Sequence, residues 1–315
     1  MLGAGALGSA IGGTLAAGGS DVTLVDLYKA HVDAVNAGGL KLREGDVEVT
    51  VRIKAVTDCD ALDVADLVIV LVKSFHTRAA IEAAAPHIVG NDTVVMSLQN
   101  GMGHEEILAQ AVGHAHVMAG KTYVGGVFLE PGRVIAGTRD KETLIGELDG
   151  TISVRAQAIA SEFQKAGLRT IVSNNIVGTM WDKLLVNVST GALSGITRLA
   201  YGELYQVPEV EACALAAVAE AMAVAKACGV VLETREPREA WLKAAEGLPG
   251  DFKTSMLQSL EKGSVTEIDF INGAVVRWGA RCGVATPVNQ TLVAGIKGIE
   301  RRMRLAAART EETSP

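Results

Sequence analysis

The sequence predicts an α/β chain, with a doubly wound, largely parallel sheet followed by an all-helical domain. Three observations carry that expectation. A glycine turn, Gly3-X-Gly5-X-X-Gly8, opens the chain just ahead of a small-residue segment. Continuous apolar runs, Leu67 to Val72 and Thr93 to Leu98, are separated by helical stretches, as in a sheet whose strands are buried on both faces. From Asn174 onward the apolar periodicity is almost entirely helical.

Taken in order, Ala6 to Gly18 reads as a helix with small residues on the face that meets a sheet, and Asp21 to Asp26 as a short strand ending in an acid. His31 to Gly38 is a short helix, and Leu40 to Val56 alternates around Gly45-Asp46 as a β-hairpin insertion. The two buried strands follow. Short strands with Gly-Gly and Pro-Gly turns span residues 117 to 147, and a helix over Val154 to Ala166 and a strand over Leu168 to Val172 complete the domain. Helices are then expected at 176–193, 209–228, 237–246, 267–282 and 287–304, with Thr286-Pro287 as the start signal of the last. The resulting domains are 1–173 and 174–315, with a frayed tail from about residue 306. Because the glycine turn ordinarily follows a full strand, the first strand reads as truncated, which would leave a gap in the sheet. A start several residues upstream is therefore expected, with Met1 an internal methionine.

Composition removes several function classes. The 315 residues carry a formal net charge of −7 with no cluster of Lys and Arg, so no basic footprint for nucleic acid exists. No apolar run is long enough to span a membrane, and no leader precedes the glycine turn, so the expected location is the cytoplasm. Cys59, Cys213, Cys228 and Cys282 are scattered without a CxxC pair, which suggests reduced thiols rather than a disulfide or zinc framework. No metal site is expected. His76 and His104 read as polar loop residues.

In a strand-turn-helix setting, Gly3 and Gly8 permit a tight turn and close packing. Gly5 permits close backbone approach to a pyrophosphate, which the N–H groups of Ala6, Leu7 and Gly8 receive. Asp26 lies eighteen residues beyond Gly8, where an acid accepts hydrogen bonds from the ribose 2′-hydroxyl and disfavours a 2′-phosphate. NADH is the cofactor this favours. The competing possibility is that Asp26 caps the next helix while Lys29 and Arg43 take a 2′-phosphate from the side.

Two segments stand at carboxyl ends of strands, where open α/β sheets place their ligands. In Val72-Lys73-Ser74-Phe75-His76-Thr77, Lys73 is either a ligand of a cofactor phosphate or ribose or a solvated surface lysine. In Leu98-Gln99-Asn100-Gly101-Met102-Gly103, Asn100 either reaches the nicotinamide or substrate, or belongs to an ordinary turn. In the helical domain, Lys183 and Asn187 lie four apart on one helix face beside apolar surface, a costly place for a lysine without a purpose. Thr266-Glu267-Ile268-Asp269 places carboxylates at the opening of a helix, where capping is their ordinary use.

These motifs, together with Ser255-Met256-Leu257-Gln258 and the full run Thr266-Glu267-Ile268-Asp269-Phe270-Ile271-Asn272-Gly273, occur in an order that resembles ketopantoate reductases over nearly the whole chain. The resemblance implies a Rossmann domain, a helical domain and a cleft between them, with NADPH as the usual cofactor. It implies that Lys183 is the catalytic acid and Glu267 its partner toward the substrate. It implies further that Asn187 and Ser255 bind substrate, and that Asn100 touches nicotinamide and substrate. Two positions depart from the family pattern. Gly191 stands where a further substrate-binding Asn is common, with Thr190 as the substitute, and Asp26-Leu27 replaces an arginine suited to NADP. Both point away from ketopantoate itself while leaving the reaction type intact.

The expected function is thus hydride transfer between NAD(P)H and a small 2-keto acid. The alternatives are an NAD-linked dehydrogenase of a different 2-hydroxy acid and a non-catalytic NAD(P)-binding sensor. A homodimer is among the expected assemblies, and no macromolecular partner is indicated.

Overall fold

The computed structural model describes residues 1–313, with side chains through residue 308. The chain divides into two compact units: Met1–Gln99 with Gly103–Val177, and Asn100–Met102 with the chain from Gly178 onward. The tripeptide Asn100–Met102 therefore leaves the sheet unit and belongs to the helical one.

The first unit runs through α1 (Ala6–Ala17), β1 (Thr23–Val25), α2 (Lys29–Gly38), β2 (Leu40–Glu44), β3 (Val47–Val51), β4 (Lys54–Val56) and β5 (Leu67–Val70). It continues with α3 (Thr77–Ile88), β6 (Val94–Ser97), α4 (His104–Val112), β7 (Val117–Thr122), β8 (Gly125–Glu130), β9 (Arg133–Gly137), β10 (Glu142–Gly146), α5 (Val154–Lys165) and β11 (Arg169–Val172). Strands β5, β6 and β7 run parallel, and β10 joins them antiparallel and carries β11 at the edge. Strand β1 pairs in parallel with β4.

The expected gap is closed at its ligand end by Met1–Gly3. Leu2 bridges in parallel to Val25 on one side and Val70 on the other. Its N–H donates to Ile69 O at 2.8 Å, and its carbonyl accepts from Leu71 N at 2.7 Å. Three residues thus do at that end what a full strand would do, and the Leu2 side chain is buried among Val68, Val70 and Ile81.

The hairpin β2–β3 is present as expected, but a second sheet in the order β3-β2-β9-β8 was not anticipated. It forms because β2 pairs in parallel with β9, some ninety residues later. Helix α1 therefore packs against both sheets, which accounts for its small residues: Leu24 of the main sheet and Leu40 and Leu42 of the second close on it.

The second unit contains α6 (Ile176–Thr197), α7 (Tyr201–Leu204), α8 (Pro208–Ala227), α9 (Pro237–Ala245), α10 (Ser255–Glu261), α11 (Asn272–Cys282) and α12 (Pro287–Thr313). The small buried residues Ala214, Ala217, Val218, Ala221 and Val224 let α8 pack closely on its neighbours. Helix α12 starts at Pro287, where the Thr286-Pro287 signal placed it, and Glu220 of α8 adds a cap from a neighbouring helix by accepting the N–H groups of Val288 and Asn289.

Three expectations are corrected. Helix α12 continues to Thr313, past the start of the expected frayed tail, and residues 314 and 315 lie outside the described residues. The single helix expected over 267–282 is broken: a 3-10 turn covers Ile268–Phe270 and α11 begins only at Asn272. The cysteines are not all reduced thiols. Cys228 and Cys282, 54 residues apart, form a disulfide between the ends of α8 and α11, while Cys59 and Cys213 stay free.

Closing a loop of that length removes denatured-state entropy equivalent to about 4 kcal/mol, of which strain usually leaves less. Reduction is expected to lower the melting temperature by several degrees, with thiol titration of the unfolded chain rising from two groups to four. Four titratable thiols in the untreated protein, with a melt insensitive to reductant, would contradict the bridge.

Candidate active site

In the sheet unit the three fingerprint glycines have different reasons. Gly3 has φ +94°, and a Cβ there would press on the backbone of Leu71 and Val72. A Cβ on Gly8 would collide with the carbonyl of Gly3. Both are demanded by the protein's own packing. Gly5 is not: it has an ordinary φ of −63°, and nothing lies within 4 Å of where its Cβ would be. The space before it is open, at the start of a helix with no side-chain cap and no acid in its first turn. The N–H groups of Ala6, Leu7 and Gly8 there suit a diphosphate.

Asp26 is fixed beside this turn. Its Oδ2 accepts from Ala4 N at 2.7 Å and its Oδ1 from Tyr28 N at 2.9 Å. Helix α2 starts at Lys29 with no side-chain cap, so Asp26 does not serve as its cap. A carboxylate has about four acceptor positions, so two remain for ribose hydroxyls. A cavity of about 310 Å³ is lined by Ala4, Gly5, Ala6, Asp26, Tyr28, His31 and Phe128, with an acid in its wall and no cation. Lys29 is exposed and paired with Asp33. These features fit the diphosphate and ribose of a nicotinamide dinucleotide.

Sequence reasoning missed the aromatic side of this cavity. Phe128 of β8 lies 5.0 Å from the His31 ring and 6.2 Å from Tyr28. His31 is buried. Its Nδ1 accepts from Gly132 N at 3.0 Å, which leaves the ring proton on Nε2 to donate to Ser9 Oγ at 3.1 Å. Ser9 Oγ in turn donates to Ala4 O at 2.7 Å. Burial lowers the His31 pKa, with Asp26 opposing, so the neutral ring ties the β8–β9 turn to the glycine turn. The alternation of β8 offered no warning, because its partner β9 is paired to β2 from a distant part of the chain.

Lys73 is exposed just beyond the carboxyl end of β5, where it was expected. The strand ends on either side of it are joined by Gln99, another missed residue. Gln99 Nε2 donates to Val72 O at 2.6 Å and Thr77 Oγ1 at 2.8 Å, and its Oε1 accepts from Ser97 Oγ at 3.0 Å. The chain is thereby anchored one residue before Asn100. Two buried titratable groups nearby also escaped notice. Lys121, at the carboxyl end of β7, hydrogen-bonds the Tyr123 hydroxyl. Glu105, in the first turn of α4, is pushed up to about 7 by burial. His104 is fully buried, not a polar loop residue, whereas His76 is exposed.

In the helical unit, Gly101 adopts φ +96°, and a Cβ there would overlap the carbonyl and side chain of Phe270. That carbonyl accepts from Met102 N at 2.8 Å. The Asn100 loop is thus docked on the 3-10 turn that follows Glu267. Glu267 precedes that turn without capping it, so the capping explanation gains no support from its geometry.

On α6, Lys183 and Asn187 are both half-buried and share one face, with Leu184, Leu185 and Val188 buried beside them. The row continues through Gly191 to Gly195, which packs on Ile296 and Leu260. Gly191 faces the end of the Met256 side chain, so the row leads toward the start of α10, about 12 Å along the helix from Lys183. Ser255 is the first residue of α10 and is exposed, while Thr254 caps that helix through Leu257 N. Thr190 is corrected: it is 2 % exposed, and its hydroxyl meets that of Tyr201 at 3.2 Å inside the core, so it does not replace a ligand missing at Gly191. Asp182, next to Lys183, is structural, accepting from Glu233 N and Thr234 N. No group of three or more metal-ligating side chains occurs among the described residues.

Comparison with known proteins agrees with this division. Residues 1–150 match the model of the ketopantoate reductase PanE/ApbA family, and residues 175–300 match the model of its C-terminal domain. The chain belongs to the ketopantoate reductase family. Among its relatives, a 2-dehydropantoate 2-reductase from Halobacterium salinarum is 35% identical over 292 residues, 92% of this chain and 94% of that protein. One from Archaeoglobus fulgidus is 34% identical over 305 residues, 95% and 97% of the two chains. The crystal structure of a ketopantoate reductase family member from Ralstonia eutropha superposes with a TM-score of 0.87 at 34% identity, covering 96% of this chain and all of that one. A D-mandelate dehydrogenase solved with NADH and anilino(oxo)acetate also superposes with a TM-score of 0.87, at 27% identity over 96% of this chain and 100% of that one.

The different reasons for the three glycines in this family member are separable by experiment. Gly5→Ala is expected to melt within a few degrees of the parent while weakening nicotinamide dinucleotide binding about tenfold or more. Gly8→Ala is expected to lose stability outright, because backbone cannot yield to the added methyl. Thermal melts with fluorescence titration of the reduced dinucleotide measure both; unchanged binding in Gly5→Ala would remove the diphosphate from this turn.

Proposed function

We propose that this chain is an NAD(P)H-dependent reductase of small 2-keto acids, of the 2-dehydropantoate 2-reductase kind. The observation that carries the proposal is the docking of the Asn100 loop onto the turn after Glu267, in the same unit as Lys183 and Asn187. That gathers a cation, a carboxylate and two amides on one body, which is what a keto acid needs for recognition and for a proton.

Bound reduced nicotinamide supplies the hydride. Lys183, as an ammonium on half-buried α6, hydrogen-bonds the keto oxygen, stabilises the developing alkoxide and gives up its proton to it. Glu267 orients Lys183 and binds the substrate's keto or hydroxyl end. Asn187 and Ser255 bind the rest of the substrate, and Asn100 the nicotinamide side and substrate. In the sheet unit Gly3, Gly5, Ala6, Leu7 and Gly8 hold the diphosphate, Asp26 the adenosine ribose, and Lys73 a phosphate or ribose oxygen.

NADH is the preferred cofactor in this reading, because a fixed carboxylate in a cavity wall without a cation repels a 2′-phosphate. A second reading keeps the mechanism but changes the substrate, to a different 2-hydroxy acid oxidised with NAD. It is favoured by Asp26 and by Gly191, where an added Cβ would meet nothing but ordinary contact with the end of Met256, so packing does not demand the glycine.

A panel of 2-keto acids, including ketopantoate and phenylglyoxylate, assayed with NADH and NADPH, tests both readings. Turnover with NADH at least about tenfold more efficient than with NADPH is expected, and Asp26→Ser should narrow that ratio. A tenfold preference for NADPH would defeat the role of Asp26, and cofactor binding without turnover of any 2-keto acid would defeat the reductase.

A further inference from the structure

The segment that carries Glu267 is held from both flanks by one turn of α12. On its N-terminal side, Thr266 is buried, and both its N–H and its hydroxyl donate to the same oxygen, Oε1 of Glu300, at 2.8 and 2.7 Å. On its C-terminal side, the ammonium of Lys297 meets Asp269 Oδ2 at 2.5 Å and Glu300 Oε2 at 3.3 Å. Lys297 and Glu300 are three apart, so they share a helix face. The Asp269 carbonyl accepts from Arg277 Nη1 at 2.6 Å, and the Phe270 carbonyl accepts from Met102 of the Asn100 loop. Burial pulls the Lys297 pKa down, but Asp269 and Glu300 outweigh that and hold it above its usual value, so the bridging ammonium is charged.

Glu300 is only 2 % exposed. A buried carboxylate costs several kcal/mol to desolvate, and an apolar side chain of similar volume often stabilises a core as well or better. Stability alone therefore gives little reason for an acid at this position. Its distinctive effect is directional: charge-assisted bonds are short and strict in angle, and here they fix the residue immediately before Glu267.

We propose that Glu300 is a positioning residue, clamping Thr266 directly and Asp269 through Lys297 so that the intervening Glu267 presents its carboxylate to the substrate in one orientation. The inference rests on the substrate-facing role of Glu267 proposed above. No atom of Glu300 touches substrate. It acts through the peptide of Thr266, and loosening that peptide leaves Glu267 present but misdirected, with the cofactor unit untouched.

The test is a double-mutant cycle on the full-length enzyme. Glu300→Gln keeps an acceptor oxygen for Thr266 but removes the charge that strengthens both bonds and holds Lys297. Expected are a fall of about tenfold in kcat/KM for the 2-keto acid, unchanged affinity for the reduced dinucleotide, and a melting temperature within a few degrees of the parent. Thr266→Val, which removes the hydroxyl from the other end, should act in the same direction, and it carries the test if Glu300→Gln does not fold. The decisive reading is non-additivity: Glu267→Gln combined with Glu300→Gln should be no slower than Glu267→Gln alone. Losses that multiply, or a Glu300→Gln enzyme with parental kcat/KM, would overturn the positioning role while leaving Glu267 in place. Parental turnover in Glu267→Gln itself would overturn both.

Discussion

The missing side chain at Gly101 is the constraint on which the chemistry of the helical unit depends. Any Cβ there would occupy the space of the Phe270 carbonyl, and the loop could not close on the turn after Glu267. With glycine, Met102 N–H reaches that carbonyl, and Asn100 becomes part of the body that carries Lys183, Asn187 and Glu267. On the other side of the same turn, Thr266 and Asp269 are tied to α12. The Glu267 segment is thus tied down on both flanks, by α12 through Thr266 and Asp269 and by the Asn100 loop through the Phe270 carbonyl.

The sheet unit works by a complementary logic. Its glycine turn is dictated twice by backbone packing and once by nothing in the protein, and the unexplained glycine faces open space. Asp26 spends two acceptor positions on the backbone of the turn, which stiffens it and leaves its remaining lone pairs toward the cavity. The neutral His31 adds a second tie from the opposite wall. Asp26 and His31 thus tie the glycine turn down from two walls of the cavity.

Much of this was legible in the sequence where the signal is local. The glycine turn, the apolar runs that became β5 and β6, the helical periodicity and the motifs around Lys183 and Glu267 all depend on residues close in the chain. What escaped depends on distant partners. The second sheet exists because β2 pairs with β9, and no spacing within either strand announces that. The Cys228–Cys282 bridge joins residues 54 apart that carry no motif. Thr190 looked like a substrate ligand on a polar stretch of α6, but Tyr201, one helix on, had already engaged it. The helix expected over 267–282 follows the general helical periodicity of this half of the chain; the 3-10 turn and the break at Ile271 sit where the segment is tied to α12 and to the Asn100 loop, which periodicity does not record. The truncated first strand was recognised, but not that Met1–Gly3 still bond both neighbours at that end, Leu2 to Ile69 and Leu71 and its two flanking residues to Val25.

The proposed reduction stands or falls on whether Lys183 is the source of the proton. The most direct measurement is turnover of a Lys183→Ala enzyme saturated with reduced dinucleotide and a 2-keto acid the parent reduces, with and without added ethylammonium. The account predicts a loss of about 100-fold or more, unchanged dinucleotide affinity, and partial recovery as the small ammonium ion supplies the missing acid. A Lys183→Ala enzyme that turns over at the parental rate without added amine would contradict it.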